Sequence, residues 1–261
     1  MSRTALAGCY VISLRPVGDH AALRRAAATQ GARVLALSPW KLLPRDDDAT
    51  RRQLQAALDC ERVLFTSPAA VRAAQALQGL SARPGQAWLA VGAGTAAALR
   101  RAGIDDAIAP RQMGSEGLLA LPALRDVRDS RIGLVTAPAG REVIGPALEQ
   151  RGAGVVRADV YTREPVALPA RSIDLLRTMQ APAWLALSSG DALQQAMAAL
   201  PAAVLRIFLR ARVAAASERL ATLARERGFA DVLVAASASP RDLVACMASA
   251  SMALPRLPVP T

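Results

Sequence analysis

The chain has 261 residues, of which 52% are hydrophobic and only 3% aromatic, so it can bury a substantial core built mainly from Ala, Leu and Val. The length predicts about two domains, and this composition suits parallel sheets covered by helices. The formal net charge is +11 and Lys41 is the only lysine, but the arginines form no dense basic run of the kind that indicates nucleic-acid binding. Two interpretations of the charge stay open: a polyanionic ligand, for which the arginine fork is suited, or a compositional bias toward Ala and Arg.

Short apolar runs alternate with longer amphipathic segments, which predicts parallel sheets flanked by helices. The strand-like runs of the first half are CYVISL, ARVLAL, RVLFT and AWLAV. Those of the second half are RIGLVT, GVVRADVY, AWLALS, IFLRARVAA and DVLVA. Two Pro-containing segments, 38–48 and 161–169, are predicted to be connectors, and the Pro-rich tail 251–261 is predicted to be disordered.

The two halves also repeat one another. VLFTSPAAV at 63–71 aligns with LALSSGDAL at 185–193, and VGAGTAAAL at 91–99 aligns with VAAASERLA at 213–221, both at an offset of 122 residues. At an offset of 121, Gly31 of GARV pairs with Gly152 of GAGV. An internal duplication explains these matches, so we expect two similar α/β domains.

Thr66 and Ser67 lie between a strand-like run and a helix, where α/β enzymes often hold a nucleophile. A serine nucleophile needs a base with an orienting carboxylate, and His20, the only histidine, has no motif around it. A hydrolase triad is therefore disfavoured. Ser67 is suited to N-cap the helix, with Pro68 at the first helical position. The alternative, which stays open, is that these hydroxyls and the free backbone N–H groups bind an anion.

Four further positions lie at strand ends or helix starts. The loop AVGAGTAAAL lacks the third glycine of the dinucleotide-binding pattern, so Thr95 is expected to cap its helix, to bind an anion, or both. Arg15 directly follows the first predicted strand. It is either an ordinary surface arginine or a ligand contact, and its position favours the second, because open α/β folds bind ligands at the carboxyl ends of their strands. Arg141 lies beside another helix start. Tyr161 ends the run GVVRADVY and is either a packing residue or a donor hydroxyl facing a cleft.

Cysteine spacing and hydropathy both bear on the cellular compartment in which the protein is expected. Cys9, Cys60 and Cys246 are far apart and in no CxxC or Cys/His arrangement, which predicts neither a disulfide framework nor a zinc site and fits a reducing compartment. The N-terminus is predicted to be a first strand rather than a signal peptide. Because no apolar stretch approaches the ~18 residues of a spanning helix, we expect a soluble, cytoplasmic protein.

Taken in chain order, several segments resemble the motifs of uroporphyrinogen-III synthases. They are the strand–Arg–Pro near the N-terminus, FTSPAAV, VGAGTAAAL, GSEGLL, AGRE, GAGVVRADVYTREP and GFADVLVAASASPRDLV, and they extend from about residue 9 to 248. The resemblance implies two similar parallel-sheet α/β domains joined by a two-stranded linker, with a ligand cleft between them. On this chain one domain would comprise 1–38 plus 166–261 and the other 39–165, with the two connectors as the linker strands.

The resemblance also implies an activity. It is the cyclisation of hydroxymethylbilane to uroporphyrinogen III, with inversion of the last pyrrole ring and loss of water, in tetrapyrrole (haem) biosynthesis without a metal or organic cofactor. Tyr161 would assist departure of the hydroxyl group. Thr66 and Ser67 would face Ser188 and Ser189 across the cleft. The residues implied to hold the carboxylate arms of the substrate are Arg15, Thr66, Ser67, Thr95, Arg141, Ser188, Ser189 and Ser217.

Three segments depart from the family pattern. SLRP stands where threonine commonly precedes the arginine, TAPAG replaces a more glycine-rich turn, and AAASE at 214–218 lacks the glycine and paired threonines often found there. A second hypothesis is therefore a non-catalytic tetrapyrrole- or anion-binding regulatory module of the same fold. In either case we expect a monomer that binds no nucleic acid and no membrane, with the preceding pathway enzyme as a further candidate partner.

Overall fold

The structure, a computed structural model, describes residues 4–112, 114–138 and 143–253. Its strands are β1 (Tyr10–Ser13), β2 (Arg33–Ala36), β3 (Trp40–Pro44), β4 (Arg62–Phe65), β5 (Ala87–Ala90), β6 (Arg131–Thr136), β7 (Gly154–Asp159), β8 (Tyr161–Pro165), β9 (Ala183–Leu187), β10 (Arg212–Ala215) and β11 (Val232–Val234). Its helices are α1 (Ala21–Thr29), α2 (Asp48–Leu58), α3 (Pro68–Leu77), α4 (Ala93–Arg101), α5 (Ser115–Leu119), α6 (Ile144–Gln150), α7 (Ala170–Thr178), α8 (Gly190–Ala199), α9 (Ala202–Phe208), α10 (Glu218–Glu226) and α11 (Pro240–Ala253).

The chain folds into two compact units, each built on a parallel sheet. The first unit contains the residues up to Lys41 together with those from Glu164 onward, and the second contains Leu42–Arg163. The sheet of the first unit has the order β11-β10-β9-β1-β2, and that of the second has the order β5-β4-β6-β7. All neighbouring strands in both sheets run parallel.

A separate two-stranded sheet of β3 and β8 connects the units. Val166 N–H donates to the Pro39 carbonyl at 3.0 Å, and Arg45 N–H donates to the Val160 carbonyl at 3.0 Å. Because residues early in one strand pair with residues late in the other, the two strands run antiparallel. The predicted fold class, two parallel-sheet α/β domains joined by a two-stranded linker, is confirmed.

The strand orders follow the sequence repeat. The offset of about 122 residues pairs β4 with β9 and β5 with β10, while Gly31 and Gly152 precede a second pair, β2 and β7. With β6 matched to β1, the order β5-β4-β6-β7 becomes β10-β9-β1-β2, which is the order in the first sheet. Gly31 and Gly152 have φ values of 77° and 86°, so both end a helix in the left-handed conformation that glycine adopts without strain.

In the second unit the sheet is buried on both faces. Leu64 packs on one face and Phe65 on the other, because successive side chains of a strand alternate. Phe65 stacks on Trp88 with ring centroids 5.6 Å apart. At Gly133 in β6, a Cβ atom would lie 2.0 Å from the Ala57 carbonyl oxygen, so α2 packs directly against the strand backbone. Such double-sided burial explains why these strands are continuous apolar runs.

Three sequence expectations are wrong in detail. Ile207 and Phe208 of the run IFLRARVAA belong to α9, because Val204 and Phe208 are buried four residues apart on one helical face. The run GVVRADVY is divided, since β7 ends at Asp159 and Tyr161 begins β8. Residues 251–253 of the tail that was expected to be disordered form the end of α11, and 254–261 lie outside the described residues.

Candidate functional site

In the second unit, two buried threonines meet at the carboxyl ends of adjacent strands. Thr66 follows β4 and Thr136 ends β6, and their neighbours Phe65 and Val135 are directly paired in the sheet. The hydroxyl group of Thr66 donates to Thr136 Oγ1 at 2.8 Å, and the two residues are only 4% and 0% exposed. Thr136 was not among the candidates selected from the sequence. Its place at the end of RIGLVT, on a strand expected in the same sheet, was the available signal.

Ser67 and Tyr161, both selected from the sequence, are in contact. Ser67 is the N-cap of α3, where its Oγ accepts the Ala70 N–H at 3.0 Å and Pro68 takes the first helical position. The same Oγ lies 3.1 Å from Tyr161 Oη. Tyr161 is 5% exposed, and its ring belongs to the hydrophobic core of the second unit. The phenol is therefore fixed at both ends, by packing around its ring and by a hydrogen bond at its oxygen.

Thr95 lies in the first turn of α4, the helix that follows β5, but it does not cap this helix. The N-cap of α4 is Gly92, without a side-chain cap, and Thr95 lies buried in the first turn. The expectation of capping is wrong because the glycine-rich turn already has helical conformation before Thr95. A Cβ at Gly94 would lie 3.8 Å from Pro68 Cγ, so the starts of α3 and α4 are neighbours. Thr95 thus lies at the same edge of the sheet as Thr66.

The carbonyl group of Ala137, just after β6, accepts a hydrogen bond from a charged side chain. Arg157 in β7 donates from Nη2 to the Ala137 carbonyl at 2.9 Å and from Nε to Asp159 Oδ1 at 3.0 Å. The bond to Ala137 connects the end of β6 to β7. The ion pair with Asp159 offsets the positive charge of Arg157 within β7. Arg141, which the sequence analysis selected at the next helix start, lies outside the described residues.

In the first unit, the selected residues lie at the carboxyl ends of three consecutive strands. Ser188 and Ser189 follow β9, Ser217 follows β10, and Arg15 follows β1, and β9 is the middle strand of these three. Ser189 Oγ accepts the Ala192 N–H at 3.3 Å. The first unit thus also presents hydroxyl groups at one edge of its sheet.

Ser217 and Arg15 differ in how much of their bonding capacity is already used. Ser217 Oγ accepts the Leu220 N–H at 3.4 Å and so caps α10. Arg15 Nε donates to Asp19 Oδ2 at 3.4 Å, while 26% of its side chain remains exposed. Ser188 is exposed. A guanidinium group has five donors, so Arg15 keeps donors that could bind a carboxylate.

His20 forms a buried polar cluster near Arg15. Its Nδ1 lies 2.9 Å from Ser13 Oγ and its Nε2 lies 2.8 Å from Ser38 Oγ. Burial lowers the pKa of His20, the positive charges of Arg24 and Arg15 lower it further, and the negative charge of Asp19 opposes them. The neutral imidazole can donate to one serine and accept from the other. Sequence reasoning did not find this cluster, because Ser13 and Ser38 are 25 residues apart.

The described residues offer hydroxyl and N–H donors rather than metal ligands. Within residues 4–112, 114–138 and 143–253, no group of three or more His, Cys, Asp or Glu side chains is placed to hold a metal ion. None of the helices described is long and apolar enough to cross a membrane. Hydroxyl groups and N–H groups at helix starts are suited to bind carboxylates.

A family model and curated relatives that match this chain carry the same description. A family model described as uroporphyrinogen-III synthase HemD matches residues 21–245. Over 153 residues the chain is 32% identical to the uroporphyrinogen-III synthase of Escherichia coli K12 and 33% identical to that of Salmonella typhimurium LT2. These alignments cover 58% of this chain and 62% of each relative, so they span less than two thirds of the length of those proteins.

Solved structures share the fold at low sequence identity. A mutant uroporphyrinogen III synthase from the extremely thermophilic bacterium Thermus thermophilus superposes with a TM-score of 0.60 and 19% identity, over 94% of this chain and 98% of the other. The uroporphyrinogen-III synthetase from Helicobacter pylori 26695 gives a TM-score of 0.56 and 14% identity, over 92% and 99% of the two chains. At these identities the likeness concerns the fold alone.

Proposed function

Because the chain belongs to the uroporphyrinogen-III synthase family, we propose that it cyclises hydroxymethylbilane to uroporphyrinogen III, with inversion of the last pyrrole ring and loss of water. The observation that carries the proposal is the hydrogen bond between Ser67 and Tyr161 at the start of α3. It holds a phenol hydroxyl at the sheet edge where Thr66, Thr136 and Thr95 also lie. Open α/β folds bind ligands at this edge.

The reaction requires no covalent bond between the protein and the substrate. Loss of the hydroxyl group turns the substrate into its own reactive cation, so the enzyme has to protonate that hydroxyl and hold the linear chain folded. Tyr161 is the proposed proton donor. The acetate and propionate arms would bind Arg15, Thr66, Thr95, Arg141, Ser188, Ser189 and Ser217. Positioning of this kind can supply much of a rate enhancement.

The composition supports an anionic substrate. The chain carries a net charge of +11, almost all of it on arginines, and a positive surface raises the encounter rate with a polycarboxylate. The cleft between the domains, the monomeric state, the cytoplasmic location and a contact with the preceding pathway enzyme stay predictions.

Product analysis tests the proposal. Purified protein is mixed with hydroxymethylbilane, and the porphyrinogen isomers are separated by chromatography after oxidation. We expect isomer III, because the spontaneous reaction without ring inversion yields isomer I. If isomer I alone forms at the spontaneous rate, the proposal fails and the alternative, a non-catalytic tetrapyrrole- or anion-binding module, is favoured.

Replacement of Tyr161 tests the assigned proton donor. Tyr161→Phe keeps the buried ring but removes the hydroxyl, so we expect kcat to fall by about a hundredfold or more, the usual contribution of a general acid. Tyr10→Phe is the matched control. Tyr10 is the other tyrosine of the chain, and its ring lies against the Arg33 guanidinium at 4.4 Å in the first unit. Full turnover by Tyr161→Phe would remove the assigned role.

A further inference from the structure

The hydroxyl group of Ser67 has a bonding pattern that constrains what it can do for Tyr161. A serine hydroxyl has one proton and two lone pairs. The Ala70 N–H, which is fixed at the start of α3, uses one lone pair at 3.0 Å. Tyr161 Oη lies 3.1 Å away, within hydrogen-bond distance of the same oxygen. The proton of Ser67 is therefore available for Tyr161 while the helix holds the oxygen in place.

The neighbouring threonine does not compete for this position. Thr66 donates its hydroxyl proton to Thr136 at 2.8 Å, on the side of the adjacent strand β6. Tyr161 is separated from Ser67 by 94 residues, so their contact depends on the tertiary fold rather than on local chain geometry. Among the residues described, Ser67 is the side chain seen to hydrogen-bond the phenol of Tyr161.

We propose that Ser67 is a positioning residue that donates its hydroxyl proton to Tyr161 Oη, an inference that rests on the proposed function. With Ser67 as donor, Tyr161 keeps its own proton free for the hydroxyl group of the substrate. If Tyr161 donated to Ser67 instead, that proton would already be engaged. The sequence alone indicated Ser67 as a helix cap or a carboxylate ligand. The cap is present, and the contact with Tyr161 assigns the hydroxyl proton to the phenol instead of to a carboxylate.

The proton-transfer step balances with these residues alone. The Oη–H bond of Tyr161 breaks and its proton passes to the hydroxyl oxygen of the substrate. The carbon–oxygen bond then breaks, its electron pair leaves with the water, and the substrate is left as a cation. The phenolate oxygen accepts the hydrogen bond from Ser67, which strengthens because the acceptor is now charged. The proton that a pyrrole carbon loses on ring closure returns to Oη. The positive end of α3 further stabilises the negative charge.

A spectroscopic test needs no substrate. In a Tyr10→Phe background, Tyr161 is the only tyrosine, so protein labelled with [13Cζ]-tyrosine gives one NMR signal that reports the bonding of Oη. We expect Ser67→Ala to shift this signal and Ser67→Thr, which keeps the hydroxyl, to restore it. Ser189→Ala removes the corresponding serine cap of α8 in the first unit and should leave the signal unmoved. An unchanged signal in folded Ser67→Ala protein would overturn the proposal.

Kinetics separate positioning from substrate binding. Loss of a charge-assisted hydrogen bond from Ser67→Ala should lower kcat by roughly tenfold with KM little changed. Asp47→Ala is the control, because Asp47 caps α2 in the same unit by accepting the Thr50 N–H and should leave kcat unchanged. Adding Ser67→Ala to Tyr161→Phe should cause no further loss, because the serine acts through the phenol.

The outcomes of these tests are distinct. A raised KM with unchanged kcat, or a full additional loss in the double variant, would show that Ser67 binds substrate directly and would overturn the positioning role. If wild-type protein forms only isomer I, the proposed function fails, while the NMR signal still reports whether Ser67 and Tyr161 are hydrogen-bonded.

Discussion

His20 is the residue whose environment most clearly predicts a pH effect. Its imidazole is only 5% exposed, and both ring nitrogens are hydrogen-bonded to serine hydroxyls. Burial is the main cause that lowers its pKa from 6.5, with Arg24 and Arg15 acting in the same direction and Asp19 against them. Below about pH 6.5 the unfolded chain therefore binds a proton that the folded chain resists.

We expect the free energy of unfolding to decrease as the pH falls from about 6.5 through the lowered pKa of His20. Urea titrations across this range measure the effect. Asp47 and Asp242 also have lowered pKa values, but their ordinary value is 3.8, so their contribution is lost only in more acidic solution. His20→Gln should flatten the pH dependence over this range. An equal slope in the variant and in the wild-type protein would contradict the assignment.

For single residues, helix capping was predictable from the sequence, but hydrogen bonds between distant residues were not. Ser67 followed by Pro68 predicted a capped helix start, because a cap involves neighbours within three residues. The contact of Ser67 with Tyr161 and that of Thr66 with Thr136 span 94 and 70 residues. Only the fold brings these groups together. The sequence therefore indicated Thr66, Ser67 and Tyr161 as hydroxyl groups at strand ends without pairing them, and it did not indicate Thr136.

At the scale of elements, the packing of α2 on β6 depends on one glycine. A Cβ at Gly133 would lie 2.0 Å from the Ala57 carbonyl oxygen, which belongs to the backbone of α2. Gly133→Ala must push the helix away from the strand, so we expect the free energy of unfolding to fall by about 1–3 kcal/mol. Chemical denaturation measures this change.

Gly145→Ala in α6 is the control for that substitution. A Cβ there would lie 3.9 Å from Leu134 Cδ2, which is ordinary contact, and alanine is the better helix former by roughly 0.5–1 kcal/mol. We therefore expect Gly145→Ala to be neutral or stabilising. Equal losses of stability in the two variants would show that the close approach at Gly133 is not the cause.

The elements themselves were largely predictable, because parallel strands buried on both faces give continuous apolar runs. The error at Ile207 and Phe208 shows the limit of this signal. A short apolar run cannot be distinguished from the buried face of a short helix, and Val204 and Phe208 lie one helical turn apart. Thr95 shows a second limit, since two glycines allowed α4 to begin earlier than its hydroxyl suggested.

At the scale of the whole molecule, the repeat was visible in the sequence, but the division of the chain into its two units was not. The offset of about 122 residues pairs strands that occupy equal places in the two sheets. A tandem interpretation would nevertheless divide the chain at its middle. The chain instead leaves the first unit near Lys41 and returns near Glu164. Periodicity has no information about such a return.

The central claim, catalysis with ring inversion, is tested most directly by counting turnovers. The purified chain is given a large molar excess of hydroxymethylbilane, samples are quenched over time, and both isomers are measured by chromatography. We expect uroporphyrinogen III to accumulate to many equivalents of the protein, at a rate proportional to protein concentration. Isomer III that stops at one equivalent, or isomer I alone, would contradict the claim.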